Sequence, residues 1–360
     1  MLADLVYEFA RGRIRAHELF FGANADRIVS VCRCLADGFA NGGRLLAVGG
    51  TSQQWSDARH VAVEFVHPVI VGKRALPAIA LAPDDIPPLR RRQDSVIAFD
   101  PLVVEAGGRW LFEPLGDDAF VRQELEETLY HVLWELVHVF FEHDSASSAG
   151  GGASSFLYPF LDQEGRAPDA VEEDVRRSVL MKAAEVAELR AQTLTDGNEE
   201  LGAAAAALRA SFDAGGKALV FGNGGSATDA MDLVADFRSA PQGWPARPAI
   251  DLAADPAIVT ALANDIGFDN VFQRQVIAYG AAGDVAIALS TSGGSGNVIR
   301  ALEEARRRDL QTIAFVGYDG GRIAEERLAD QVVVTKAEHI PRIQEAQASA
   351  YHVLRELVER

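Results

Sequence analysis

The sequence predicts an α/β protein with two three-layer αβα domains in tandem, each built on a parallel sheet, the N-terminal one truncated. Two observations support this fold class. Short apolar runs alternate with amphipathic segments, which is typical of a parallel sheet covered by helices on both faces. In addition, the segment YHVLWELV at 130–137 returns as YHVLRELV at 351–358, and such a long-period repeat indicates a duplicated architecture.

The repeat extends beyond these two segments. A Gln–Glu pair begins eight residues before the His in both copies, at Gln123 and at Gln344. Farther upstream, FANGGRLLAVG at 39–49 is echoed by FDAGGKALVFG at 212–222. We therefore expect both halves to follow one plan, the first being shorter by a strand-helix-strand unit after Phe99.

In the first half, a helical period over 24–41 ends at the helix stop Gly42-Gly43. Further helices are predicted over 56–66 and, with a long apolar stripe, over 121–141. Three short apolar runs are predicted as buried strands: 45–48, 78–81 and 95–99.

The second half is predicted to start with one helix over 169–195 and a second that ends at Phe212. A last helix begins at Arg342. Between them, five apolar runs separated by helices are predicted as strands: 218–221, 248–252, 285–289, 312–316 and 331–334.

These elements give the domain organisation. The domains span 1–144 and 169–360, and a linker rich in Ser, Gly and Ala joins them at 145–168. Within the linker, the apolar segment 156–161 is expected to dock on a surface.

Composition excludes several classes of partner. A net charge of −18 and a pI near 4.9 argue against a nucleic-acid or anionic-membrane surface as the main partner. No stretch is apolar enough to span a bilayer, and the N-terminus lacks the basic start of a signal peptide. Cys32 and Cys34 are too close together for a disulfide framework, so a cytoplasmic location is expected.

Two loops have the composition of phosphate sites. The loop 222–226 (GNGGS) and the loop 290–297 (STSGGSGN) each follow a predicted strand and open a helix. Their glycines let the backbone approach an anion, and the helix N-terminus supplies free N–H groups. Neither matches a nucleotide-binding fingerprint, so no nucleotide cofactor is expected. The alternative is that both are only tight turns between strand and helix.

Five separated motifs occur in the order found in one family. The second half resembles the SIS (sugar isomerase) domain of phosphoheptose isomerases from about 169 to 360, and 24–141 is similar to it less closely. The motifs are 222–226, 229–231 (DAM), 263–268 (ANDIGF), 290–293 and 342–345 (RIQE).

The resemblance implies a function and partners. Family members isomerise sedoheptulose 7-phosphate to D-glycero-D-manno-heptose 7-phosphate through an enediolate, usually as tetramers, and some bind zinc. A phosphorylated sugar is therefore the expected ligand, and a homodimer of this chain would supply four SIS units. Because some relatives are not catalytic, the alternative is a regulatory protein that binds a phosphosugar or another protein. An amine-transferring relative is disfavoured, since no amidotransferase nucleophile stands near the N-terminus.

The resemblance also implies a set of polar residues in each copy. The first copy keeps the family's full acid, base and metal-ligand set, which would bind Zn²⁺: His60, Glu64, Gln123 and His131. The second copy keeps two members but has Asp at the other two positions, and this altered set is a second candidate metal site: Asp232, Asp236, Gln344 and His352. The second copy also has Pro341 where the family usually places Asp.

The roles expected from these residues follow the chemistry. Glu64 or Asp236 would act as the base and His131 or His352 as the acid. The residues expected to bind substrate are Asn223, Gly224, Ser226, Asn264, Asp265, Ser290, Thr291, Ser292, Ser295 and Gln344. Our hypothesis is a division of labour, in which the second copy supplies the phosphate loops and the first copy the intact His/Glu set. The alternative for each His is a satisfied, partly buried residue.

Overall fold

The computed structural model describes residues 2–68, 73–99, 101–113, 116–145, 168–241 and 243–360. The chain divides into two compact units. We call Arg15–Asp117 with Leu125–Glu185 the N-terminal unit, and Met1–Ile14, Asp118–Glu124 and Val186–Arg360 the C-terminal unit. The interior of the predicted linker, with its apolar segment, lies outside the described residues. The domain boundaries at 144 and 169 stay a prediction.

Helices and strands are numbered in chain order. Up to residue 145 they are α1 (Leu2–Ala40), β1 (Leu45–Val48), α2 (Ser52–Val66), β2 (Ala78–Leu81), α3 (Ile86–Leu89), β3 (Ser95–Ala98), β4 (Leu102–Glu105), β5 (Arg109–Phe112) and α4 (Ala119–Ser145). From residue 168 they are α5 (Pro168–Asp196), α6 (Asn198–Asp213), β6 (Ala218–Phe221), α7 (Gly225–Arg238), β7 (Ala249–Asp251), α8 (Pro256–Ile266), α9 (Val271–Tyr279), β8 (Val285–Ser290), α10 (Gly296–Arg307), β9 (Gln311–Gly317), α11 (Gly321–Glu325), β10 (Gln331–Thr335) and α12 (Ile340–Val358).

The N-terminal unit contains a five-stranded sheet in the order β2-β1-β3-β4-β5. The three predicted strands are present, and β1 runs parallel to both of its neighbours, β2 and β3. Strands β4 and β5 extend the sheet as an antiparallel hairpin. The sequence does not predict this hairpin, which stands where the second half has further strand-helix units.

The C-terminal unit contains a fully parallel sheet in the order β10-β9-β8-β6-β7, and all five predicted strands are present. Side chains of β6 alternate between two apolar clusters. Ala218 and Val220 join the cluster of α6, α7 and α12, whereas Leu219 and Phe221 join that of α9 and α10. Helices therefore cover both faces, which confirms the three-layer α/β architecture.

Helix α1 is longer than predicted. It spans 39 residues, whereas the sequence pattern indicates a helix only over 24–41. Its first half buries Val6, Ala10, Arg13 and His17 at helical spacing. Two of these four side chains are polar, so the stripe is not visible in the apolar residues alone.

Each unit joins its first strand to a neighbouring strand with the same kind of ion pair. Asp94, which precedes β3, accepts hydrogen bonds from the backbone N–H of Arg44 at 3.0 Å and from its guanidinium at 2.6 Å. Asp284, which precedes β8, accepts from the backbone N–H of Lys217 at 3.0 Å and from its Nζ at 2.6 Å. Arg44 and Lys217 directly precede β1 and β6, the strands that pair with β3 and β8.

Two expectations from the composition concern membrane spans and cysteines. Among the described residues, no helix has both the length and the apolarity to cross a membrane. Cys32 and Cys34 are free thiols, and burial raises the pKa of both. The cytoplasmic location stays a prediction.

Candidate active site

A crevice at the carboxyl ends of β6 and β8 is the favoured ligand position of the C-terminal sheet. From β6 the chain passes to β7 on one side and then to β8 on the other side. Ligands of open α/β sheets bind where the strand order reverses in this way. The loop 222–226 follows β6, and the loop 290–297 begins at the last residue of β8. The structure thus brings both predicted phosphate loops to one crevice.

Both loops end at helix N-termini, and that of α7 is open to an anion, whereas in the first turn of α10 Asn297 Oδ1 accepts from the N–H of Val298. Gly224, at φ 57°, precedes α7 and has no side chain to cap it, and Ser226 is buried in the first turn. Ser295 precedes α10 and likewise makes no capping hydrogen bond with its side chain. The macrodipoles of the two helices and the first-turn N–H groups of α7 favour a phosphate here.

An amide pair joins the two loops. Asn223 Nδ2 donates to Asn297 Oδ1 at 2.9 Å, and Asn297 Nδ2 donates back to Asn223 Oδ1 at 2.8 Å. Within the second loop, Ser290 Oγ accepts from the N–H of Gly293, and Thr291 O accepts from the N–H of the residue that ends β9. These hydrogen bonds therefore hold the two loops together at the carboxyl ends of β6 and β8.

The other residues expected to contact substrate are dispersed. Ser292 is exposed, and its Oγ accepts from the N–H of Gly294. Asn264 and Asp265 lie near the end of α8 with exposed side chains, and Asn264 Nδ2 donates to Asp265 Oδ1 at 2.8 Å. Gln344 is buried in the first turns of α12. Their substrate contacts stay predictions.

Gly293 gives a test of how tightly the second loop is built. It has φ 59°, and a Cβ there would overlap with the carbonyl oxygen of Gly320. Gly283 has φ 88°, but a Cβ there would meet no described atom within 4 Å. Substitution of Gly283 therefore measures the cost of the backbone conformation alone. We expect Gly283→Ala to cost about 1–2 kcal/mol of unfolding free energy, and Gly293→Ala to cost more because the loop must also move. Urea unfolding measures both, and equal losses would show that the close approach is unimportant.

The corresponding loop of the N-terminal unit is closed by its own side chains. Gln54 Oε1 accepts from the N–H groups of Gly50 at 2.9 Å and Thr51 at 3.1 Å. Thr51 Oγ1 in turn accepts from the N–H of Gln54 at 3.2 Å, which completes a capping box. These are the N–H groups that an anion would use, so the geometry favours the loop 222–226 over its counterpart in the N-terminal unit as the phosphate site.

In the C-terminal unit, His352 on α12 lies among three carboxylates. Its Nδ1 is 3.0 Å from Glu124 Oε1, and its Nε2 is 3.3 Å from Asp232 Oδ2 and 3.4 Å from Asp236 Oδ2. Tyr351 donates its hydroxyl to Asp232 Oδ2 at 3.1 Å. All five side chains are almost fully buried. The structure thus joins three of the predicted residues, Asp232, Asp236 and His352, into one cluster.

Glu124 is a member of this cluster that sequence reasoning missed. Arg13 Nε donates to both of its carboxylate oxygens, at 2.9 and 3.0 Å, and Ser349 Oγ donates to Oε2 at 2.6 Å. Arg13 also reaches Glu356 at 3.3 Å. The repeated Gln–Glu pair is the signal in the sequence that could have found it, but the resemblance singles out Gln123 rather than Glu124.

The charges of the cluster explain the pKa shifts of its members. Burial alone would lower the pKa of His352, but hydrogen bonds to Asp232, Asp236 and Glu124 raise it well above its ordinary value. Burial would raise the pKa of Glu124, but Arg13 and His352 hold it well below its usual range. At neutral pH the ring is therefore an imidazolium facing ionised Glu124.

The N-terminal unit holds the other predicted set. His60 Nε2 is 3.3 Å from His131 Nε2 and 3.9 Å from Glu64 Oε1, and all three side chains are buried. Burial, followed by repulsion from His131, lowers the pKa of His60 well below its ordinary value. Gln123 lies two turns before His131 on α4, in the segment that belongs to the C-terminal unit.

Both sets have the donor atoms of a metal site. The ligand atoms of His60, Glu64 and His131 all lie within 4.8 Å of one another, and so do those of the Asp232, Asp236 and His352 set. Two imidazoles and a carboxylate are a common zinc set, and a ligand His must be neutral, as the pKa of His60 favours. In the second set, the proton of His352 would compete with a metal ion for the ring nitrogen.

Comparison with known proteins places the second half of the chain among sugar isomerases. The SIS domain profile matches residues 183–317. A phosphoheptose isomerase from Chlorobaculum tepidum is 49% identical over 163 residues, which cover 44% of this chain and 77% of that one. A phosphoheptose isomerase from Thermodesulfovibrio yellowstonii is 45% identical over 150 residues, which cover 41% of this chain and 74% of that one.

A solved structure resembles nearly the whole chain in fold. The C-terminal domain of glucosamine-fructose-6-phosphate aminotransferase from Francisella tularensis gives a TM-score of 0.61 over 98% of this chain and 95% of that one. The sequence identity is 8%, so this likeness concerns the fold alone.

Proposed function

The chain belongs to the phosphoheptose isomerase family of SIS-domain proteins, and we propose on this premise that it converts sedoheptulose 7-phosphate to D-glycero-D-manno-heptose 7-phosphate. It is a ketose–aldose isomerase of sugar phosphates. The heptose fits the names of the relatives, which are phosphoheptose isomerases.

One observation carries the proposal: helix α7 connects a phosphate loop to the buried acid–base cluster. The helix starts at the loop 222–226 and presents Asp232 and Asp236 to His352. Asp232 lies six residues beyond Ser226, about 9 Å along the helix axis. That separation is comparable to the length of an extended sugar phosphate, which supports a substrate held by its phosphate at the loop with its carbonyl end directed toward the cluster.

The cluster has the groups that isomerisation requires. A carboxylate, Asp236 here or Glu64 in the other set, removes a proton from the carbon next to the carbonyl. An acid, His352 here or His131 in the other set, protonates the carbonyl oxygen. The base then returns its proton to the former carbonyl carbon, while the hydroxyl of the first carbon gives its proton back to the acid. The ketose thus becomes an aldose with no net change in atoms. The raised pKa of His352 keeps it in the form that donates a proton.

A direct assay tests this function. We expect the purified protein to convert sedoheptulose 7-phosphate to an aldose, detected by NMR, with and without added zinc. The presence of aspartate at positions 232 and 236 favours a second candidate, a regulatory protein that binds the sugar phosphate without turnover. Binding measured by calorimetry in the absence of any aldose product would overturn the enzymatic proposal in favour of this candidate.

A zinc ion is proposed for the set His60, Glu64 and His131, where its positive charge would stabilise the enediolate. We expect protein freed of metal to bind zinc in equilibrium dialysis. His60→Gln should weaken binding by more than the roughly 10- to 100-fold caused by loss of an outer partner. Asp232→Asn serves as the control, and loss of zinc only in that variant would assign the metal to the second set.

Internal duplication and a homodimer are also proposed. The matching Arg44–Asp94 and Lys217–Asp284 arrangements support duplication. The homodimer is supported by two exposed apolar side chains that a second copy could cover: Ile266, 46% exposed, and Phe268, 53% exposed. Light scattering of the purified chain at twice the chain mass would support the dimer, and a monomer would exclude it.

A further inference from the structure

The carboxylate of Glu124 is held from several directions at once. It is 1% exposed, and it accepts hydrogen bonds from Arg13 on both oxygens, from Ser349 on Oε2 and from His352 Nδ1 on Oε1. Its backbone carbonyl accepts from Arg190 at 2.9 Å. Both the position and the charge of this carboxylate are therefore fixed by the surrounding structure.

Helix α4 restrains the His352 ring on its edge and on its face. Glu124 takes the Nδ1 edge, and Phe120, one turn earlier on the same helix, stacks on the ring with centroids 4.8 Å apart and planes inclined by 20°. With Nδ1 bound in this way, Nε2 is the atom that faces Asp232 and Asp236. A ring flipped by 180° would lose the hydrogen bond, and a ring turned out of its plane would lose the stacking contact as well.

We infer that Glu124 is a positioning residue, which orients His352 so that its Nε2 is directed at the reacting atoms. Glu124 does not touch the substrate in this proposal, and it acts only through the histidine. The inference rests on the proposed isomerase function. Outer partners of this kind fix the ring orientation and the hydrogen-bonded nitrogen of a functional histidine in many sites.

A structural role must be separated from a positioning role, because Glu124 is also a partner of buried Arg13. Glu356 provides the matched control, since it contacts the same guanidinium, whereas the Nδ1 edge of His352 is taken by Glu124. A glutamine at 124 would present an amide donor to a pocket of donors and could satisfy only part of them. An aspartate would keep the charge but lie one methylene farther back.

The test compares Glu124→Gln, Glu124→Asp and Glu356→Gln. We expect kcat to fall roughly 10- to 100-fold in Glu124→Gln, with KM little changed, partial recovery in Glu124→Asp, and kcat retained in Glu356→Gln. The ¹⁵N NMR signal of His352 Nδ1 should shift in Glu124→Gln and stay in place in Glu356→Gln. Equal kcat values for the two glutamine variants, or an unchanged Nδ1 signal in Glu124→Gln, would overturn the inference.

The spectroscopic result separates this inference from the proposed function. If the unaltered protein does not turn over sedoheptulose 7-phosphate, the isomerase proposal fails. The Nδ1 signal still decides whether Glu124 orients His352. Circular dichroism of each variant establishes that the compared proteins are folded.

Discussion

Arg13→Met is expected to lower the free energy of unfolding by about 3–5 kcal/mol, the typical cost of removing one partner of a buried ion pair. Arg13 is 2% exposed and is the cation between Glu124 and Glu356. Methionine fills much of the volume of the arginine side chain, but it leaves two buried carboxyl groups without the positive charge of the guanidinium. Burial already raises the pKa of Glu356, whereas Arg13 keeps that of Glu124 low.

Urea unfolding followed by circular dichroism measures this loss. Arg15→Met is the matched control, because Arg15 lies two residues away on α1 and is exposed. We expect the control to stay within about 0.5 kcal/mol of the unaltered protein. Similar values for the two variants would mean that the Arg13 cluster contributes no more than a surface charge.

Strands could be predicted from the sequence because each is a short apolar run that the parallel sheet buries on both faces. The hairpin of β4 and β5 could not, because its apolar runs at 102–104 and 110–112 are only three residues long and its outer strand is largely exposed at the sheet edge. The capping box of Thr51 and Gln54 is different, because its Thr-x-x-Gln pattern is local and is therefore readable in the sequence.

The candidate site could be predicted from the sequence only in part, because some of its contacts join residues that are far apart in the chain. The phosphate loops are local in sequence, so glycine and serine spacing suffices to predict them. His352 contacts Glu124, which is 228 residues away in the sequence. Glu124 in turn accepts a hydrogen bond from Ser349, which is 225 residues away from it. Periodicity cannot report such a pairing. Only the tertiary fold brings an acidic residue of α4 to the last helix.

The substitutions Asp236→Asn and Glu64→Gln are expected to have the largest effects on turnover. Each replaces a carboxyl group in one of the two buried sets by an amide of nearly the same shape. Because each carboxylate is a candidate base, we expect both substitutions to lower kcat by about 10²- to 10⁴-fold, the range typical of a lost general acid or base. Asp255→Asn is the control, since asparagine is an equally good N-cap for α8.

The pattern of losses decides which set performs the chemistry. A defect in Asp236→Asn alone would make the His60, Glu64 and His131 set a scaffold or a metal site without a proton-transfer role. A defect in Glu64→Gln alone would instead assign His352 and its carboxylates to structure. Since each carboxylate contacts a histidine of its own unit, at 3.4 Å for Asp236 and 3.9 Å for Glu64, the expected result is a large loss in both variants.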